Sequence, residues 1–301
     1  MGPSLLSGCR MRPPPSARYY HPRYDTVAHQ VLEIESEHKS AEHHVDDTRL
    51  LDLMIEDART RVVALDLENL EPRDRAVVVL HTLGELLEGG GITYSRSATL
   101  GQALRHGGAN CDSASSLYLA FAEVCDLPIK MVRAPGHTFV RWELEDGDHV
   151  NWETTVAEER SDEHYIDKHQ IPTVAINRSA LRSLDPRRDR SRILANAYVV
   201  SGVAWLGKND EQLAVERFLE AARRDPYYVT PCYNLGLTYL KLGDPAATII
   251  WCGYAVRLNP NHVKSHAVLA EAHARLGDHA AARRHRREVE RVDSSYYSSR
   301  S

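Results

Sequence analysis

A fixed spacing of 34 residues in the last third of the chain constrains its folding most. Pro226 and Pro260 are 34 apart (260 − 226), and so are Gly243 and Gly277 (277 − 243). Leu235-Gly236 and Tyr239 precede Gly243, Ala255 and Pro260. Leu269-Ala270 and His273 precede Gly277 and Ala282. Upstream, Gly202, Trp205, Ala214, Phe218, Ala221 and Pro226 fit the same frame. A period of this length is one helix–turn–helix unit that cannot bury its apolar face alone, so such units stack. Small residues let paired helices approach, and proline breaks the chain between units. The spacing predicts about three units over 192–295. The third is degenerate: Arg286 stands at an aromatic position, and the Arg-rich run 283–287 reads as a solvated face.

The second informative stretch is 107–155. Gly107-Gly108-Ala109-Asn110-Cys111 is a glycine turn that places a cysteine at the mouth of a helix. Ala114, Leu117, Tyr118, Phe121 and Cys125 then fall at helical spacing, a largely buried face. After Pro128 the period changes. Ile129–Arg133 and His137–Trp142 read as strands, and Asp146-Gly147 is a hairpin signal before Val150-Asn151-Trp152. Helix followed by antiparallel strands predicts an α+β layer. A thiol at a helix N-terminus meets positive partial charge and free N–H groups, which predicts a lowered thiol pKa and a nucleophile near neutral pH. His137 is the candidate general base and acid. Asn151 and Glu153 alternate with Trp152 and share a strand face, so either is a candidate to orient the imidazole. The Cys111 N–H is a candidate oxyanion donor, with Gln102 a weaker second. Trp142, Trp152 and Tyr118 read as core.

Upstream, residues ~25–60 read as charged and helix-favouring, with an apolar stripe at Leu50, Met54 and Ile55. Pro72 suits the first turn of a helix whose buried face is Ala76, Leu80, Leu83 and Leu87, ended by Gly89-Gly90-Gly91. Thr99 caps a short helix that Gly107-Gly108 stops. His38, His43, His44 and nearby acids lack the spacing of a metal motif and read as a solvated helix face.

These residues carry two resemblances. The Gly-x-x-Cys helix start, His137 on a strand and Glu153-Thr154-Thr155 at the end of the next resemble the transglutaminase-like (papain-like fold) superfamily. Cys111 matches its nucleophile and His137 its base. Glu153 matches the usual Asp of Asp-Pro-Thr, with Asn151 a rival as in the papain-type arrangement. The 34-residue units resemble tetratricopeptide repeats, which follow such a domain in some bacterial proteins. The resemblance implies an α+β papain/transglutaminase-like domain plus an all-α repeat domain. It implies thiol-dependent acyl transfer of the peptidase, amidase or transglutaminase type, with no metal or cofactor. The partners it implies are a protein or peptide substrate and a protein in the repeat groove. The alternative is a catalytically inactive scaffold that acts as a protein-interaction module.

Composition narrows the rest. Hydrophobic residues at 43% and charged residues at 26% suit a globular chain, and 301 residues suffice for two cores. A net charge of −5 provides no basic footprint, which argues against nucleic acid. No apolar run approaches the ~20 residues of a membrane span. Five cysteines without a CxxC pair support neither a disulfide scaffold nor a zinc ribbon. Cys125, Cys232 and Cys252 read as small buried hydrophobes. The expected organisation is a tail over 1–24, the α+β domain over 25–160, a linker or docking segment over 161–191 and repeats over 192–295. The sequence as given predicts a cytoplasmic protein. Leu6-Ser7-Gly8-Cys9 has the form of a lipoprotein cleavage box and supports an alternative, an envelope protein anchored at Cys9.

Overall fold

A computed structural model of the chain describes residues 20–37, 41–95, 99–176 and 180–293. Cys9, the tail before residue 20 and His38 lie outside the described residues. The described chain separates into two compact units.

The first unit comprises the chain up to Arg133, His137–His164 and Ser183–Leu194. It begins with α1 (Val27–Ser36), α2 (Ala41–Val63) and α3 (Pro72–Gly89), followed by β1 (Thr93–Tyr94), α4 (Leu100–His106) and β2 (Gly108–Ala109). Next come α5 (Cys111–Cys125), β3 (Ile129–Ala134), β4 (His137–Glu143), β5 (His149–Glu153) and β6 (Glu158–Arg160). Then α6 (Asp162–Lys168) begins, and β7 (Ser183–Leu184) returns to the sheet, whose order is β6-β5-β4-β3-β7. The β4–β5 hairpin is antiparallel, with Val140 opposite Trp152 and Arg141 opposite Asn151. Gly147 takes φ +90 in its turn.

Most predicted helical faces are buried as their spacing requires. Ala76, Leu80 and Leu83 of α3 are fully buried, and α5 buries every residue from Ser113 to Ala122. In α2 the buried stripe is Leu51, Met54, Ile55 and Ala58. It is one residue out of phase with the Leu50 expected from sequence, because the i, i+3, i+4, i+7 set fits a helix face more closely than Leu50, Met54 and Ile55. The entry of the chain is tied to α2. Buried Asp52 accepts from the Tyr20 hydroxyl at 2.5 Å and the Arg23 N–H at 2.9 Å, with His29 Nε2 3.1 Å away.

The second unit holds Tyr165–Arg182, the turn residues 134–136 and the chain from Ala195. Segment 161–191, expected as a linker or docking segment, has residues in both units. Helices α7 (Arg190–Gly207), α8 (Glu211–Arg224), α9 (Val229–Lys241), α10 (Pro245–Leu258), α11 (Val263–Arg275) and α12 (His279–Val292) form three helix pairs. The 34-residue period is written into their caps. Asp210, Asp244 and Asp278 each accept from the N–H three residues on, at 3.0, 2.9 and 2.9 Å. Asn209, Gly243 and Gly277 all take positive φ one residue before those caps. Asn is the non-glycine residue that best tolerates this conformation. These are helix–turn–helix repeats with a 34-residue period.

Inside the first two pairs one glycine sets how closely the helices approach. A Cβ built on Gly202 would lie 2.4 Å from the Phe218 ring, and one on Gly236 would lie 2.2 Å from Cys252 Sγ. Ala in place of a helical Gly gains about 1 kcal/mol of propensity, but overpacking a tight contact costs about 1–3 kcal/mol. At Gly236 the clash dominates. Gly236→Ala is expected to lower stability by about 1–3 kcal/mol. Gly253→Ala, where a Cβ meets nothing within 4 Å, is expected to raise it by up to about 1 kcal/mol. Denaturant unfolding of the two variants checks the contrast.

The third pair carries three close histidines. His266 Nε2 lies 2.9 Å from the Pro260 carbonyl, so that nitrogen carries a proton. Its Nδ1, 3.0 Å from His285 Nδ1, is then the acceptor. His273 stacks on His285 with centroids 5.5 Å apart. Burial, then the neighbouring His266 and His273, push the His285 imidazole down to about 4. Burial, then Lys264 and His266, do the same to His262. An unfolded chain binds these protons near pH 6.5, whereas the folded one refuses them until about pH 4. The stability they contribute is therefore complete above pH 6.5 and is lost between 6.5 and about 4. Thermal unfolding followed by circular dichroism is expected to show a Tm that falls across this window, with a shallower fall in His285→Gln.

Candidate active site

The site is built on the start of α5. Asn110 caps the helix, its Oδ1 accepting from the N–H groups of Asp112 at 3.1 Å and Ser113 at 2.9 Å, while its own N–H donates to Ser113 Oγ at 2.9 Å. This reciprocal cap makes Cys111 the first helical residue. Gly107 takes φ +88 as it ends α4, and a Cβ there would lie 2.3 Å from the Gly91 carbonyl oxygen, so only glycine fits.

Strand β4 starts with His137 and Thr138 and packs on α5. The backbone N–H groups of Thr138 and Asp112 act on the Cys111 thiol in the direction that favours its thiolate. The Thr138 hydroxyl donates to Asp112 Oδ1 at 2.6 Å. His137 Nε2 lies 2.5 Å from Glu153 Oε2 at the end of β5. The other carboxylate oxygen, Oε1, accepts from Thr155 Oγ1 at 2.7 Å and Thr155 N–H at 3.2 Å. Burial pushes the Glu153 carboxyl up, but the His137 and Thr155 bonds outweigh it and hold the pKa below the usual carboxylate value. Glu153 is therefore an anion clamped on both oxygens.

The structure thus bonds His137 to Glu153, with the strand that His137 begins packed on the helix that Cys111 begins, and sends the other two candidates elsewhere. Asn151 is buried, and its amide is occupied. Its Oδ1 accepts from Arg141 Nε at 2.7 Å, and its Nδ2 donates to Asp162 Oδ1 at 2.7 Å. Arg141 Nη2 also donates to Asp162 Oδ1, at 2.5 Å. In the structure the imidazole bonds Glu153, and this network, which sequence reading missed because Asp162 comes from α6, takes up Asn151. Gln102 does not join the site. It is exposed on α4, and its Oε1 accepts from the Thr99 N–H at 2.9 Å as half of a capping box. The Thr99-x-x-Gln102 spacing carried that signal.

The thiol departs from expectation. A helix N-terminus and two N–H groups favour the thiolate, yet Cys111 is pushed up to about 12. Burial is the largest cause and the Asp112 carboxylate the next; Thr138 N–H opposes them, and Glu153 adds to the rise. The sequence reading weighed the helix dipole and gave no weight to Asp112, although it is the adjacent residue.

Among the described residues no group of three or more His, Cys, Asp or Glu is arranged to hold a metal, and no helix is long and apolar enough to cross a membrane.

Neither a family model nor a curated protein matches the chain. Solved structures do. The first TPR of Spaghetti (RPAP3), bound to the HSP90 peptide SRMEEVD, is 20% identical over 33% of this chain and 81% of that one, with a TM-score of 0.33. The second TPR of the same protein, bound to the same peptide, is 18% identical over 36% and 99%, at 0.35. MamA MSR-1 C2 is 15% identical over 83% and 98%, at 0.34. The helical unit is similar to tetratricopeptide repeats. Scores this low carry no functional argument, and the repeat assignment rests on the 34-residue period of the helices and caps. The α+β unit stands on its own geometry.

Iodoacetamide alkylation of Cys111, read by mass spectrometry against pH, is expected to be slow at pH 7. It should keep rising beyond pH 8.5, where an ordinary exposed thiol has reached its midpoint.

Proposed function

We propose that the α+β unit is a thiol-dependent acyl transferase of transglutaminase-like type, acting through Cys111, His137 and Glu153, and that the repeats bind a protein. The observation that carries the first part is the His137–Glu153 bond beside a helix whose first residue is Cys111.

With Nε2 on the carboxylate, Nδ1 is the nitrogen through which His137 serves the thiol. A buried neutral thiol sets the order of events. As Cys111 Sγ bonds to the carbonyl carbon of an amide, its proton passes to His137 Nδ1 and the carbonyl oxygen becomes an oxyanion. The Cys111 N–H, without an intrahelical acceptor at the first helical position, supports that charge. Glu153 stabilises the imidazolium, as the anion of a triad does. The imidazolium then protonates the leaving nitrogen, the C–N bond breaks and a thioester remains. Water or an amine attacks it with the same proton movements in reverse and returns the thiol. No metal or redox group takes part in these steps.

For the repeats, Val203 on α7 and Leu237 on α9 support a binding face. They occupy equivalent positions 34 apart and are 52% and 39% exposed. This exposed apolar pair on the first two repeats, with Glu271 at the same place in the third, suits an extended or helical protein segment. A second reading, a non-catalytic scaffold, is favoured by one observation, the raised thiol of Cys111.

Turnover separates the two. Benzyloxycarbonyl-Gln-Gly and unfolded casein, with hydroxylamine as acceptor, are expected to release ammonia or yield hydroxamate. Cys111→Ser should abolish this, and His137→Ala should lower the rate about 10²–10⁴-fold, the usual contribution of a general base. A native rate equal to that of Cys111→Ser for both probes would leave the scaffold reading.

A further inference from the structure

The strand pair that leads into Cys111 is closed on one side and open on the other. Strands β1 and β2 run parallel, with Thr93 opposite Gly108 and Tyr94 opposite Ala109, and form a sheet of two. The Thr93 N–H donates to the Gly107 carbonyl at 2.7 Å, and the Ser95 N–H to the Ala109 carbonyl at 2.8 Å. Main-chain groups of adjacent strand residues point to opposite sides, so the Tyr94 N–H and C=O face away from β2. Among the described residues neither group has a hydrogen-bond partner, and Tyr94 is 57% exposed.

This edge is fixed to the candidate active site. A Cβ on Gly107 would strike the Gly91 carbonyl, so the turn before β1 lies directly against the turn before β2. Beyond Ala109, β2 passes into Asn110, which caps α5, and then into Cys111. Two strand spacings are about 10 Å, and two residues of chain span at most about 7 Å. A chain laid along the open edge of β1 therefore has its residue opposite Tyr94 within about 17 Å of Cys111, the length of about five extended residues. Unpaired strand-edge groups bond an extended backbone, and an edge this short makes one bond in each direction rather than templating a larger sheet.

We propose that the β1 edge docks the acyl donor as an extended polypeptide segment: the Tyr94 N–H donates to a carbonyl of the substrate chain, and the Tyr94 C=O accepts from one of its N–H groups. The identity of the occupant rests on the acyl-transfer reading of Cys111; the pairing itself is read without turnover. The substrate class is then a protein segment that is unfolded or extended over about six residues. A glutamine flanked only by a benzyloxycarbonyl group and one glycine has no such chain to lay along the edge. A second copy of this chain, pairing edge to edge, is the competing occupant.

The test is amide hydrogen exchange in the full native chain, resolved to single residues, with and without excess unfolded casein. Exchange at the Tyr94 N–H is expected to be fast in the free chain and to slow at least about tenfold with casein. The Thr93 and Ser95 N–H groups, already donated to β2, should change little. No slowing at Tyr94 overturns the proposal, whether casein binds elsewhere or not at all. Slowing that grows with protein concentration in the absence of casein assigns the edge to a second copy and overturns it as well. Tyr94→Pro deletes the outward N–H without touching the Thr93 or Ser95 bonds. It should lower kcat/KM on casein, relative to that on benzyloxycarbonyl-Gln-Gly, about tenfold, the worth of about one to two hydrogen bonds. An unchanged ratio in the folded variant overturns the proposal. Failure of the acyl-transfer reading appears separately: neither probe turns over, while casein still slows exchange at Tyr94.

Discussion

The Tyr118 hydroxyl fastens together the elements on which the site depends. It lies buried midway along α5, donates to the Leu80 carbonyl of α3 at 3.2 Å and accepts from Trp152 Nε1 of β5 at 2.9 Å. Three elements thus meet at one polar atom that water does not reach, so both of its bonds must be made inside the protein. The fit around it is tight: a Cβ on Gly84 of α3 would come within 3.1 Å of that hydroxyl and within 2.9 Å of Ala157 Cβ. Ala157 takes φ +53, a conformation alanine adopts only where its surroundings enforce it. This contact holds the turn after β5. Glu153 therefore reaches His137, and Thr155 reaches Glu153, from a backbone held by core packing, and the orientation of the imidazole is inherited from it.

Much of this was legible because the signals are local. A cap, a glycine with positive φ or a proline at a helix start depends on a few neighbouring residues, and the sequence displays all of them. The 34-residue frame, the buried faces of α3 and α5 and the β4–β5 hairpin belong to this class. What could not be read depends on residues brought together from afar. Asn151 looked as able as Glu153 to hold the imidazole until Arg141 and Asp162 claimed its amide. Segment 161–191 reads in sequence only as a linker or docking segment, because the bond of Asp162 to Asn151 and the pairing of β7 with β3 join residues far apart. The transglutaminase-like resemblance rests on residues far apart in sequence, of which the structure bonds His137 to Glu153.

The largest departure concerns Cys111, and its cause is the balance of two effects that a sequence does not weigh. A helix N-terminus offers an anion roughly half a unit charge of favourable partial charge, an effect of about 0.3–2 kcal/mol. Removing a thiolate from water opposes it and grows with burial, and a carboxylate on the next residue adds to that opposition. Position along a helix is visible in a sequence; depth is not. The same depth explains why Glu153 goes the other way. It is buried too, but the bonds from His137 and Thr155 favour its charged form, whereas the sulfur has two N–H groups against burial and two anions.

A protonated thiol does not by itself disarm such a centre. Nucleophilic attack requires that the proton leave the sulfur by the time the carbon–sulfur bond is formed, not before it. A resting thiolate beside a resting imidazolium would need two buried charges stabilised in the absence of substrate. In the proposed acyl transfer, a thiol that holds its proton avoids that cost and defers charge separation to the moment when an oxyanion forms, with the Cys111 N–H for that charge and Glu153 bonded to the imidazole. On this argument the clamp on Glu153 matters more than the resting state of the sulfur. The carboxylate must already be ionised and fixed before the imidazole takes its proton, and Thr155 with His137 secures both conditions.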